Sequence, residues 1–145
     1  MTMRVLVDTN VLLAALPKLS RYRSIVNAIA TGHIELVVST AILLEYQEIL
    51  TRKTNSIVAT NFLEFLTKMP HVVRVGTPFT WGLITEDFDD NKFVDAGLIA
   101  GADYIITYDT DFNVVKENAF PRIGVINADE FLVLLEKIVS APSEI

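Results

Sequence analysis

Acidic residues recur in this sequence at positions where strands are predicted to end. Asp8 follows the short apolar run Val5-Leu6-Val7, and Asp109 follows a second run over 104–107. Continuous β-rich runs without alternation are typical of strands buried on both faces of a parallel sheet. Ligands of open α/β sheets bind at the carboxyl ends of such strands. If the two strands are neighbours, the two carboxylates meet at one sheet edge, where they can bind a divalent cation.

Further acids surround these positions. Asp111 lies two residues beyond Asp109, and Asp89 and Asp90 stand directly before a predicted helix over 92–102. That helix leads into the strand that ends before Asp109, so its amino end belongs to the same region of the sheet. If the two strands are neighbours, these acids are therefore expected to converge at the same edge of the sheet.

Some of these positions also have a purely structural interpretation. Glu45 lies in the predicted helix 41–50 among leucine and isoleucine residues, which makes it a candidate to point inward, but a solvent-exposed helix acid fits the same pattern. Asp8 and Asn10 are residue types that cap the start of a helix through a side-chain oxygen. The recurrence of acids after a second strand favours a shared site over a cap.

The available residue types restrict the metal that such a site would hold. The sequence has no cysteine, and its only histidines are His33 and His71, which excludes thiolate sites and multi-histidine zinc centres. Carboxylate oxygens are hard ligands that favour Mg²⁺ or Mn²⁺. Mg²⁺ usually completes its coordination with water and with phosphate oxygens of a substrate. An all-carboxylate site therefore indicates metal-assisted hydrolysis of phosphodiester bonds.

Length and composition indicate one folded domain. The 145 residues are 51% hydrophobic, with a mean hydropathy of +0.41, which is enough to bury a substantial core. The net charge of −6 argues against a protein that coats nucleic acid with a basic surface. It does not argue against a nuclease, because bound cations offset the charge of a carboxylate site. With no recognisable signal peptide and no apolar run long enough to cross a membrane, a cytoplasmic location is expected.

Strands and helices alternate along the chain, which predicts an α/β domain around a mostly parallel sheet. Ser20 and Thr40 are the expected caps of two helices, and Gly32 is the expected stop of the first. A single domain is expected over 1–139, followed by a frayed tail over 140–145. The predicted strands cover 5–7, 34–39, 72–75, 103–107 and 123–127, and the predicted helices cover 11–16, 20–30, 41–50, 56–69, 92–102, 112–119 and 129–139.

Four segments carry an ordered set of motifs. The first is Asp8-Thr9-Asn10-Val11-Leu12, and the others lie at 39–50, 87–96 and 102–112. Their order and spacing span nearly the whole chain and resemble the PIN-domain ribonucleases, particularly the small single-domain toxins of prokaryotic toxin–antitoxin pairs. The resemblance implies a three-layer α/β/α sandwich around a parallel sheet. It also implies an endoribonuclease activity that depends on Mg²⁺ or Mn²⁺.

The same resemblance implies roles for individual residues. The third acidic position is contested, because Asp89, Asp90, Asn91 and Asp95 all lie near it, and the spacing of Asp90 to the apolar residues of the following helix favours Asp90. By this likeness the catalytic and metal-binding acids are Asp8, Glu45, Asp90 and Asp109, and the supporting residues are Asn10, Thr107, Asp111 and Asp89. Lys92 is a candidate contact to RNA phosphate, with ordinary surface solvation as its alternative.

Partners and rival functions follow from the same likeness. Family members cleave RNA, are commonly homodimers and are commonly silenced by a small antitoxin protein in the acidic cleft, so RNA, a second copy and an antitoxin are the expected partners. A non-catalytic PIN-like domain that binds RNA or protein is the first alternative. An aspartate-based phosphoryl-transfer domain is the second, but it would require an acid where Asn10 stands and a lysine after a later strand.

Overall fold

A parallel sheet forms the centre of the computed structural model, which describes residues 2–77, 82–84, 90–117 and 123–140. Its strands are β1 (Met3–Val7), β2 (Ile34–Val38), β3 (Val72–Arg74), β4 (Tyr104–Ile106) and β5 (Gly124–Ile126). The order across the sheet is β3-β2-β1-β4-β5, and each of these neighbouring pairs is parallel. The predicted α/β class with a parallel sheet is confirmed, and the first strand lies at its centre.

Helices of the described part of the chain cover both faces of this sheet. Val5, Leu6 and Val7 are all fully buried, although alternate residues of a strand face opposite sides. This is the predicted three-layer arrangement. The helices are α1 (Thr9–Ala15), α2 (Arg23–Thr31), α3 (Thr40–Lys53), α4 (Ser56–Lys68), α5 (Asn91–Ala100), α6 (Asn113–Glu117) and α7 (Ala128–Ser140), and a 3₁₀ turn over Thr110–Phe112 precedes α6.

Two predicted helix caps are wrong. Ser39, not Thr40, is the N-cap of α3, because its hydroxyl accepts a hydrogen bond from the backbone N–H three residues further on, at 3.3 Å. Ser20 does not cap α2, which begins at Arg23. The hydroxyl of Ser20 instead donates to Ala14 O at 2.5 Å and closes the turn after α1. Residue type alone therefore did not identify the cap residues of these two helices.

The ends of α2 and α7 lie at or next to the predicted positions. Gly32 ends α2 with a φ of 79°, a left-handed conformation that glycine adopts without steric cost, so the predicted stop is confirmed. Helix α7 continues through Ser140, the first residue of the predicted tail, and 141–145 lie outside the described residues. Within the described ranges, no helix is both long and apolar enough to span a membrane.

Close packing brings α5 onto the sheet. A Cβ atom at Gly97 would lie 2.8 Å from Leu6 Cδ1 on β1 and 2.5 Å from Ile123 Cδ1 before β5, so only a residue without a side chain fits this contact undisturbed. Phe93, one turn earlier, is fully buried. The small residue thus fixes how near the helix, and the acids at its start, lie to the sheet.

The carboxyl ends of β1 and β4 are adjacent. Val7 pairs with Ile106 in the parallel register, and Asp8 N donates to Ile106 O at 3.0 Å. The residues that follow these two strands, Asp8 on one side and 107–109 on the other, therefore emerge side by side. The expected convergence of the two segments is present in the fold.

Candidate active site

Asp8 lies almost buried at the carboxyl end of β1, with 8% of its surface exposed. One oxygen, Oδ1, accepts a hydrogen bond from Thr9 N at 2.8 Å, which makes Asp8 the N-cap of α1. The other, Oδ2, accepts a hydrogen bond from the Thr107 hydroxyl at 2.7 Å. Asp8 therefore caps α1 and is also hydrogen-bonded to the segment that follows β4.

The surroundings of Asp8 oppose its negative charge. Burial raises the pKa of Asp8 above its ordinary value of 3.8, and the hydrogen bonds from Thr107 and Thr9 lower it by less. The carboxylates of Glu45 and Asp109 raise this pKa further. A nearby cation would offset both the burial and the repulsion. The electrostatics thus suit a site that is completed by positive charge.

Thr107 joins two acids of the site. Its Oγ1 donates to Asp8 and accepts a hydrogen bond from Asp109 N at 3.0 Å. Asp109 in turn caps the 3₁₀ turn, because its Oδ1 accepts a hydrogen bond from Asp111 N at 2.9 Å. The backbone therefore turns directly after β4 and holds both later acids at the sheet edge next to Asp8.

Glu45 reaches the same region from α3, and its inward orientation agrees with its apolar neighbours in the sequence. Its Oε1 forms an ion pair with Lys92 Nζ at 2.8 Å, and its Oε2 accepts a hydrogen bond from the Thr9 hydroxyl. The side chains of Glu45 and Lys92 are only 18% and 15% exposed. Lys92 is therefore fixed against an acid of the site and is not an ordinary solvated surface lysine.

Three further carboxylates form what we call the three-carboxylate group. Asp90, Asp109 and Asp111 each offer one oxygen, and these atoms lie within 4.8 Å of one another. Asp90 is the N-cap residue of α5, so it approaches the two acids after β4 from the helix above the sheet. Closely spaced carboxylate oxygens are the donor set that Mg²⁺ and Mn²⁺ prefer. These residues fit a hard divalent cation.

The other candidates for the third acidic position lie in different surroundings. Asn91 is buried, and its amide exchanges hydrogen bonds with the backbone of Ile84, donating to O at 2.9 Å and accepting from N at 3.0 Å. Asp95 is buried further along α5 and is not part of the three-carboxylate group. Asp89 lies outside the described residues. Asn91 thus anchors a loop, whereas Asp90 faces the acids after β4.

Asn10 was expected to support the site and Tyr46 was not, and the structure places both differently. Asn10 is exposed on α1 and takes no part in the hydrogen bonds that the described residues make to Asp8. Tyr46, which the sequence analysis misses, is fully buried, and its hydroxyl donates to Val7 O at 2.5 Å. Burial and the charges of Asp8 and Glu45 raise the pKa of Tyr46 well above 10.0, so it remains a donor. Its place beside Glu45 in an apolar helix was the available signal.

A network of tyrosines lies at the rim of the site. The hydroxyl of Tyr108, the residue before Asp109, donates to Asp129 Oδ2 at 2.6 Å. The hydroxyl of Tyr22 donates to Asp129 Oδ1 at 3.0 Å and lies 3.1 Å from the hydroxyl of Tyr108. Arg21 forms an ion pair with Asp129 at 2.8 Å. These partners are far apart along the chain, so no local sequence pattern indicates the network.

Comparison with known proteins agrees with this geometry. A chain of VapBC2 from Rickettsia felis, in a crystal structure with a DNA fragment from its promoter, aligns with 86% of this chain and 98% of its own length, at a TM-score of 0.59 and 17% identity. At this identity the likeness concerns the fold. No curated protein matches the sequence. The PIN domain family model matches residues 4–111, well over half of the chain. The chain therefore belongs to the PIN-domain family.

Proposed function

We propose that this protein is an endoribonuclease that hydrolyses phosphodiester bonds of RNA with Mg²⁺ or Mn²⁺. The observation that carries the proposal is the three-carboxylate group, whose oxygens lie within 4.8 Å of one another. Its member Asp109 is joined to Asp8 through Thr107. PIN domains are typically nucleases, so membership of the family supports the same reaction class.

The acids would contribute to cation binding in different ways. Asp90, Asp109 and Asp111 would hold it directly, and Asp8 borders them across Thr107. A divalent cation, when bound, polarises the scissile phosphate and makes a water molecule a stronger nucleophile. A nearby cation favours the charged form of a carboxylate, so cation binding would favour the charged form of Asp8 that burial disfavours.

Lys92 and Glu45 contribute a second charge at the site. The ion pair of 2.8 Å holds the Lys92 ammonium in one position, with both side chains mostly shielded from solvent. A fixed positive charge next to the cleaved phosphate stabilises the negative charge that grows on its oxygens. We therefore assign Lys92 to the substrate phosphate and Glu45 to the positioning of Lys92 and of the Thr9 hydroxyl.

The proposal extends to the biological role of a toxin in a toxin–antitoxin pair. The ordered motifs resemble the small PIN-domain toxins, and the fold is shared with a chain of VapBC2. The net charge of −6 and the acidic cleft are complementary to a basic segment of an antitoxin. A homodimer that acts in the cytoplasm is part of this proposal.

The proposal is tested by incubating a pool of structured and single-stranded RNAs with the partner-free protein in Mg²⁺ or Mn²⁺. The informative variants are Asp109→Asn and Asp8→Asn. Asp103→Asn is the matched control, because Asp103 lies before β4 at the opposite sheet edge, where it accepts a hydrogen bond from Arg4 N at 2.9 Å. Calorimetric titration with Mn²⁺ measures cation binding separately from cleavage.

Cleavage that EDTA abolishes, that both site variants lose and that the Asp103→Asn protein keeps supports the proposal. Cleavage that survives in both site variants indicates a contaminating nuclease and removes the support. No cleavage by the folded protein with either cation overturns the proposal and favours a non-catalytic PIN domain that binds RNA or protein.

A further inference from the structure

A polar cavity of about 200 Å³ opens beside the three-carboxylate group. It lies between the segment after β4, helix α6 and the segment that joins β5 to α7. Thr107 and Asp109 belong both to its wall and to the candidate active site. A chain that places one phosphate at the carboxylates would therefore extend directly into this cavity. The remaining polar wall is formed by Tyr108, Thr110, Asn113, Lys116, Asn127 and Glu130.

The wall offers the groups that recognise a nucleotide. Lys116 is exposed on α6, and no ion pair joins it to a described residue, so its ammonium is available to a phosphate. Asn113, one turn earlier on the same helix, brings an amide that can both donate and accept a hydrogen bond. Tyr108, a residue that is 52% exposed, contributes an aromatic ring. A cationic side chain, an amide and an exposed aromatic ring are groups that typically bind an unpaired base and its phosphate.

The ring of Tyr108 is held in place before any ligand arrives. Its hydroxyl is fixed by Asp129 at 2.6 Å and lies 3.1 Å from the hydroxyl of Tyr22. Asp129 is itself held by Arg21 at 2.8 Å, and the Arg21 guanidinium lies 5.1 Å from the centre of the Tyr22 ring. An immobilised ring loses little conformational entropy when a base stacks on it. The network therefore preorganises an exposed stacking surface next to Asp109.

We infer that this cavity is a subsite for the nucleotide adjacent to the scissile phosphate of single-stranded RNA. The base stacks on Tyr108, Asn113 contacts the edge of the base, and Lys116 meets the next phosphate. The inference rests on the proposed nuclease function for the phosphate that lies at the carboxylates. Tyr22 and Asp129 are positioning residues, because they act on the substrate through Tyr108. Base stacking tolerates all four bases, so the subsite selects unpaired RNA rather than one sequence.

The test measures the affinity of a short fluorescein-labelled single-stranded RNA for the full chain, with Ca²⁺ in place of Mg²⁺ and the intactness of the RNA checked on a gel. A second RNA lacks the base next to the bond that the wild-type protein cleaves in Mg²⁺. If the wild-type protein cleaves no bond, a set of RNAs is used instead, each of which lacks a different base. Tyr108→Ala removes the ring, Tyr108→Phe keeps the ring without its tether, and Lys116→Gln removes the cation. Lys137→Gln, an exposed lysine on α7 that does not line the cavity, is the matched control.

The expected loss of affinity is about 5- to 100-fold for Tyr108→Ala and less than about 5-fold for Tyr108→Phe, because the ring carries the stacking. Removing the base should weaken binding to the wild-type protein by a similar factor and have little further effect on the Tyr108→Ala protein. Lys116→Gln should reduce both the affinity and its dependence on salt, whereas Lys137→Gln should change neither. Thermal unfolding of each variant checks that the protein is folded.

Equal losses from base removal in the wild-type and Tyr108→Ala proteins would overturn the subsite, because the base would then bind elsewhere. Loss of binding to a protein partner but not to RNA in the Tyr108→Ala variant would overturn it in favour of a protein-docking surface. The proposed nuclease function stands or falls separately. If the wild-type protein binds RNA with the Tyr108-dependent pattern but never cleaves it, the subsite is supported and the nuclease function is overturned. If the protein cleaves RNA but substitution of Tyr108 has no effect, the nuclease function is supported and the subsite is overturned.

Discussion

Thr107 Oγ1 donates a hydrogen bond to Asp8 Oδ2 at 2.7 Å, and the two residues are 99 positions apart in the sequence. The same oxygen accepts a hydrogen bond from Asp109 N at 3.0 Å. One hydroxyl thereby sets the position of the acid after β1 relative to the acid after β4. Because Thr107 is itself buried, water cannot easily replace either bond.

The first prediction concerns this hydroxyl. Thr107→Val removes it at nearly constant volume and leaves Asp8 Oδ2 without its buried donor, which should cost about 1–3 kcal/mol in the free energy of unfolding. Misplacement of the two acids should also lower kcat/KM for RNA cleavage by about 10- to 100-fold. Thr107→Ser keeps the hydroxyl and should retain most of both properties. Urea unfolding and cleavage rates measure the effects, and a Val variant that matches the Ser variant in both would contradict this role.

The second prediction concerns the pH dependence of stability. The pKa of Asp8 is raised in the folded protein by burial, so the neutral acid is favoured more in the folded protein than in the unfolded chain. Its stabilising contribution is fully present below the ordinary pKa of 3.8 and is lost as the pH rises through the raised pKa. In EDTA at neutral pH, the Asp8→Asn protein should therefore be at least as stable as the wild type, because the neutral amide can accept from Thr9 N and donate to Thr107.

Urea unfolding in EDTA from pH 3 to pH 8 measures the difference in the free energy of unfolding between the two proteins. This range includes the ordinary pKa of 3.8. Added Mg²⁺ should reverse the order of stability, because the negative charge of Asp8 beside the bound cation should make the wild type bind the cation more tightly, and tighter binding to the folded state gives greater stabilisation. A wild-type protein that is clearly more stable than the Asp8→Asn protein in EDTA at neutral pH would show that Asp8 is favoured as a charged group in the folded state.

The third prediction is that the ion pair between Glu45 and Lys92 stabilises the protein more than an exposed ion pair does. Glu45 and Lys92 are mostly shielded, with 18% and 15% of their side chains exposed, so removal of one partner leaves a charge that water solvates poorly. Glu45→Gln, Lys92→Met and the double variant should give a coupling free energy of about 1–3 kcal/mol in a double-mutant cycle. Urea unfolding supplies the four values of the free energy of unfolding.

The matched control for this cycle lies on the same helix. Glu48 and Arg52 form an ion pair of 3.5 Å with side chains that are 73% and 61% exposed. Their coupling should be about 0.3–0.5 kcal/mol, as for other exposed pairs one helical turn apart. Equal coupling in the two cycles would mean that burial adds nothing to the Glu45–Lys92 pair.

The fourth prediction concerns the rim network. The hydrogen bond from Tyr108 has the largest effect on the pKa of Asp129 and lowers it. Desolvation opposes this effect, and the hydrogen bond from Tyr22 and the charge of Arg21 lower the pKa by smaller amounts, so that the net shift is downward. The stabilisation by this carboxylate is present above its ordinary pKa of 3.8 and is lost as the pH falls through the lowered value. Carboxyl ¹³C NMR should show that Tyr108→Phe raises the pKa of Asp129 more than Tyr22→Phe does. The opposite ranking would place the stronger bond on Tyr22.

Local pattern predicted much of the fold. The unbroken apolar run before Asp8 required a strand covered on both faces, and the alternation of such runs with helical spacing required a parallel sheet. The exact starts of helices were less predictable than the order of strands and helices. Ser39 and Thr40 are neighbours and both are good N-cap residues, and only the backbone geometry makes Ser39 the N-cap of α3. The error arises because capping depends on dihedral angles that residue type biases but does not fix.

By itself, then, the sequence determined the class of the fold and the acids that follow its strands, because both depend on short-range order along the chain. The tertiary structure decided which side chains meet. It separated Asp90, which faces the acids after β4, from Asn91, which turns to the backbone of Ile84. It also paired Lys92 with Glu45 across 47 positions. Those choices depend on how each helix is rotated against the sheet, and that rotation is set by packing of the whole core.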